Sequence, residues 1–130
     1  MIDQLKILNP QALISIFGKV PKFEDAELLE VCLKRDGPTL VIQLMTNENV
    51  EHKTKRWNKL DVIYVEISFF TIRNLIIENL GTENIIEHFE ISTTSEGSLL
   101  KIKCKNQMIV ESLFDWARIE GVNPGLIGLP

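Results

Sequence analysis

The chain has 130 residues, 45% of them hydrophobic and 25% charged, with only five prolines; these values fit one globular domain able to bury a core and argue against a second domain or a low-complexity tract. Its 18 acidic and 14 basic side chains leave a net charge of −4, which favours solubility and opposes general binding to nucleic acid. Met1-Ile2-Asp3-Gln4 carries no basic leader and no apolar stretch reaches membrane-spanning length, so the chain reads as cytoplasmic, without a membrane partner.

After a lead over residues 1–8, Asn9-Pro10 supplies an N-cap and a proline at the first helical position. Leu13, Ile14 and Phe17 form an apolar stripe that Gly18 closes, which predicts a short helix from Asn9 to Phe17. From Glu27 to Lys34 the period becomes two, with Leu29, Val31 and Leu33 on one face. The Asp36-Gly37-Pro38 turn then leads into Leu40, Ile42 and Leu44, completing an antiparallel hairpin. Thr46 to Lys59 reads as a long basic loop around Trp57, and Leu60 to Phe70 as a central strand with Ile63, Val65, Ile67 and Phe69 on one face.

Ile72, Leu75, Ile76 and Leu80 recur at helical spacing before Gly81, predicting a short helix over Thr71 to Leu80. Ile85 to Thr93 and Leu99 to Lys105 form a second hairpin through Ser95-Glu96-Gly97-Ser98, with Lys101, Lys103 and Lys105 outward. Gln107 to Ile119 satisfies both a helical stripe and an alternating pattern; we read it as strand. The tail over 121–130, with Gly121, Pro124, Gly125, Gly128 and Pro130, is expected to continue neither element. The expected fold is α+β: a single antiparallel sheet of about six strands, with the N-terminal helix and a short helix after the third strand.

Glu24, Asp25 and Glu27 are the first candidates for chemistry, because close carboxylates divide acid and base roles or bind a cation. Acidic residues at a strand start are also ordinary solvated turn formers. His52 and His88 form no metal spacing with Cys32 or Cys104, and the isolated glycines build no phosphate loop. Cys104 shares a face with Leu100 and Ile102 while Cys32 points away from the leucine row, so both cysteines read as reduced. The basic runs Lys53 to Lys59 and Lys101, Lys103, Lys105 match solvated faces. No catalytic set, metal site or cofactor site is expected.

Phe17-Gly18, Pro21, Phe23, Asp25-Ala26-Glu27-Leu28-Leu29 and the strand end from Leu33 to Arg35, with Phe70-Thr71-Ile72-Arg73-Asn74-Leu75-Ile76 further on, resemble the immunity protein 50 family of bacterial polymorphic toxin systems. Glu24 stands where that family often has histidine, and Thr71 and Arg73 replace its usual polar residues. The resemblance implies a protein, not an enzyme, that neutralises a cognate toxin by direct contact. Its expected contact residues are Glu24, Asp25, Glu27, Trp57 and Asn74, and the chain is expected as a monomer or homodimer. Two other readings stay open. One is a small ligand-binding or hydrolytic domain using the carboxylates beside His88 or Tyr64; the other is a homo-oligomeric interaction module joined at an exposed strand edge.

Overall fold

Alternating side chains build both layers of this protein. In the computed structural model, which describes residues 7–8, 22–46 and 62–125, Leu40, Ile42 and Leu44 are wholly buried while Val41, Gln43 and Met45 between them are half-buried. The same alternation buries Ile63, Val65, Ile67 and Phe69, and then Leu100, Ile102 and Cys104. The strands are β1 (Ile7–Leu8), β2 (Glu27–Lys34), β3 (Thr39–Thr46), β4 (Val62–Phe70), β5 (Arg73–Glu78), β6 (Ile86–Thr94), β7 (Gly97–Cys104), β8 (Ile109–Phe114) and β9 (Trp116–Gly125).

They form a five-stranded sheet in the order β1-β9-β4-β3-β2 and a four-stranded sheet in the order β5-β8-β7-β6. Every pairing is antiparallel except that of β1 with β9. The inner faces close on one hydrophobic cluster, which removes the apolar side of each sheet from water. Edge-to-face pairs fasten the layers: Phe23 meets Phe89 at 5.1 Å between centroids, and Phe69 meets Phe114 at 5.0 Å.

The α+β expectation is therefore overturned. The described residues contain strands only, and two sheets replace the single one. Thr71 to Leu80 is not a helix: it holds β5, whose register slips between Arg73 and Ile76. Thr71, Asn74 and Asn79 have φ of 57°, 55° and 58°, which a right-handed helix forbids. The bulge lets Leu75 face the core and Ile76 face outward, so the apolar spacing mimics a helical stripe.

Ile109 to Ile119 is strand, split at Asp115 into β8 and β9, while Gln107, at φ 74°, belongs to the preceding turn. The expected stop at Gly121 fails, because β9 runs to Gly125. Gly121 falls at the bulge opposite Glu66, and Pro124 lies beyond the two residues that pair with β1. Among the described residues no strand flanks that side of Pro124, so its missing N–H costs no ladder bond. Leu29 also departs from the expected Leu29-Val31-Leu33 row, since a bulge between Leu28 and Glu30 turns it out. The expected helix from Asn9 to Phe17 and the basic loop around Trp57 lie outside the described residues.

Candidate functional site

The acidic corner begins with a turn whose first job is packing. Phe23 and Asp25 have φ of 59° and 66°, a strained setting for residues with a Cβ. It drives Phe23 and Ala26 into the core and leaves Glu24 and Asp25 exposed. Ala26 N–H closes the turn on the Phe23 carbonyl at 3.2 Å.

Backbone bonds then join the two sheets here. Asp25 N–H donates to the Ile86 carbonyl at 2.8 Å, Ile86 N–H to Ala26 at 2.7 Å, and Leu28 N–H to Asn84 at 2.9 Å. Asn84 is buried and satisfied: its side chain exchanges two bonds with the Gly81 backbone and accepts one from Asn106 at 2.8 Å. Asp25 itself is engaged, because Lys105 Nζ donates to its Oδ1 at 2.6 Å. That hydrogen bond, and then the carboxylate charge, hold the Lys105 ammonium above its ordinary value.

Asn74 sits at the opposite end. β5 pairs Arg73 with Leu113 and Glu78 with Ile109, while the Asp25–Lys105 contact lies past the Ile109 end of the sheet. There Asn74 lines a shallow cleft of about 300 Å³ with Ile76, Leu99 and Leu113. The structure thus brings Glu24, Asp25 and Glu27 together but keeps Asn74 away from them; Trp57 lies outside the described residues. His88 and Tyr64 point from opposite faces of the sandwich and do not meet at the carboxylates.

At the Asn74 end a guanidinium does the joining. Arg73 donates to the Thr71 carbonyl at 2.8 Å, to Asp115 Oδ1 at 2.9 Å and to the Glu96 carbonyl at 2.8 Å. It thereby ties the β4–β5 crossover to the β8–β9 crossover and to the β6–β7 turn. Gly97, at φ 126°, leaves room for it: a Cβ there would stand 2.9 Å from the guanidinium.

The outer face of the five-stranded sheet gathers the side chains best suited to a partner. The β4 register sets Tyr64, Glu66, Ser68 and Phe70 on that face, beside Gln43 and Met45 of β3 and Trp116 and Arg118 of β9. Glu27 and Glu30 of β2 continue it, since Glu27 pairs with Met45 and Glu30 with Gln43. Phe70 and Trp116 stack at 4.0 Å, and the Arg118 guanidinium lies 5.1 Å over the Phe70 ring. Arg118 also donates to Glu120 at 2.7 Å. The Arg118 hydrogen bond, helped by one from Ser68 and opposed by burial, holds the Glu120 carboxyl below its ordinary value.

Glu30 and Glu66 are exposed on either side of uncharged Gln43. No ion pair engages either among the described residues. On the other sheet, by contrast, Lys101 is placed between Glu90 and Glu111, and Lys103 lies 4.0 Å from Glu87. The outer face of the five-stranded sheet was missed in the sequence because Gln107 to Ile119 has two periods. Extending the alternation of Trp116, Arg118 and Glu120 beside that of Tyr64, Glu66 and Phe70 would have revealed it.

Neither a curated protein nor a solved structure matches the chain significantly. The family model for immunity protein 50 matches residues 9–125. That span includes the Phe23 to Leu29 corner, the Phe70 to Ile76 crossover and nearly all of both sheets, so the chain belongs to the immunity protein 50 family.

Proposed function

We propose that this protein neutralises a cognate toxin by binding it directly, without catalysis, through the outer face of the five-stranded sheet. Family membership supplies the class of partner. The observation that carries the choice of surface is the exposed Trp116, stacked on Phe70, whose ring lies beneath Arg118; further along the same face stand the carboxylates of Glu30 and Glu66, which no ion pair among the described residues engages. Trp, Tyr and Arg dominate the energetics of protein interfaces, and a prearranged stack loses little freedom on binding. The carboxylates favour a basic patch on the toxin and steer its approach. Glu27 belongs to both this face and the acidic corner, whereas Asp25 is engaged by Lys105.

The test needs a candidate toxin, to be sought in the coding neighbourhood of this chain. Co-expression should rescue growth and titration calorimetry should show a tight complex. Trp116→Ala is expected to weaken binding by about 2 kcal/mol, roughly thirtyfold. Glu66→Lys should slow association most at low salt. Unchanged affinity in both variants, alongside a loss after reversal of Glu24 and Asp25, would move the contact to the corner; no complex at all would remove the proposal.

A further inference from the structure

We infer that two copies of this protein pair edge to edge through β2, antiparallel, with the two-fold axis at Cys32. β2 is the outermost strand of its sheet. At its start the free side is already covered, by the Leu28 to Asn84 hydrogen bond and the Glu27–Ile85 bridge. Past the bulge at Leu29, the side from Glu30 to Lys34 has no neighbouring strand among the described residues. Leu29 and Leu33 are exposed there, at 41% and 58%. An open edge with such side chains is a template for another strand.

The order of residues specifies which strand fits. Val31 and Leu33 lie opposite Ile42 and Leu40 and so point to the inner face; Glu30, Cys32 and Lys34 point to the outer one. Antiparallel pairing sets residues of the same face opposite each other, which requires the axis to pass through a residue. With the axis at Cys32, Glu30 faces Lys34 of the second copy and Val31 faces its Leu33, each twice. An axis at Val31 or Leu33 sets Cys32 against Glu30 or Lys34 and loses the charge pairs. Charges that ordinarily guard an edge here match a second copy of the same edge.

Only a short stretch pairs on each side, below the area of a permanent dimer, so association is expected to be reversible and concentration-dependent. It joins the sheets side by side and leaves the Phe70–Trp116 stack open, while drawing Glu30 into a pair with Lys34 of the second copy. Directly opposed residues in such a pair have Cα atoms about 4.5–5.5 Å apart, within the range of about 4.4–6.8 Å that a disulfide spans.

Sedimentation velocity over a range of concentrations, on the protein alone, is the test. A monomer–dimer shift is expected, and mild oxidation should trap the dimer through Cys32, a product lost in Cys32→Ser. Cys104 is wholly buried and cannot substitute for it. Glu30→Lys or Lys34→Glu alone should weaken the dimer about tenfold by opposing like charges, and the double swap should restore it. Unchanged melting curves for the swaps would separate dissociation from unfolding. A monomer at every concentration, or a dimer indifferent to both swaps, would overturn the inference.

Discussion

The two ends of the sandwich join the same pair of sheets by different means. At the Asp25 end, three backbone hydrogen bonds and the buried Phe23 ring carry the junction. At the Asp115 end, the side chain of Arg73 bridges two crossovers and a turn, supported by backbone bonds from Asp115 to Phe70 at 3.0 Å and from Ile72 to Pro38 at 3.1 Å. A junction built from peptide groups tolerates changes in its exposed side chains, because the bonds do not depend on them. One built from a guanidinium does not. Glu24, exposed in the backbone-built turn, is a side chain of the first kind.

Phe23→Ala should break the first junction most severely, with a loss of about 3–5 kcal/mol in urea unfolding, since it empties a core site against Phe89. Arg73→Ala should cost less, about 1–2 kcal/mol, because the guanidinium is partly exposed and water replaces some of its bonds. Arg73→Lys should recover only a small part, since an ammonium cannot span the three acceptors. Ser98→Ala should be neutral or slightly stabilising by thermal melt: its hydroxyl is buried without a hydrogen-bond partner among the described residues. Glu24→His should leave the melting midpoint unchanged.

The smallest effect lies on the outer face of the five-stranded sheet, at Glu120. Its folded-state pKa is depressed below the ordinary 4.5. The stability it contributes is therefore present above pH 4.5 and is lost as pH falls through the folded value. Glu120→Gln should differ slightly from the parent protein at neutral pH and converge with it in strongly acidic urea titrations.

How much of this could be read in the sequence depended on whether a segment has one period or two. Leu99 to Lys105 alternates cleanly after its turn and is a strand close to the expected limits, and Glu27 to Lys34 is a strand with the expected limits whose alternation the bulge at Leu29 interrupts. β5 looked helical because its bulge breaks the alternation and brings Leu75 and Ile76 to helix-like spacing. The signature Phe23 to Glu27 stood out in the sequence as a cluster of charges. Its structural weight rests on Phe23 and Ala26, whose partners at Phe89 and Ile86 lie sixty or more residues away and leave no local trace. The outer-face stack was hidden likewise, since Phe70 and Trp116 become neighbours only after β9 returns to the first sheet.

That return sets an order on assembly during synthesis. Among the described strands β9 is the last to leave the ribosome, yet it lies between β1 and β4. Until it emerges, the nascent β2–β3–β4 meander keeps one flank of β4 bare, with the backbone groups that pair with β9 unpartnered on that flank. Completion of the five-stranded sheet therefore waits on β9. Truncation before Trp116 is expected to yield an insoluble product instead of a smaller folded one.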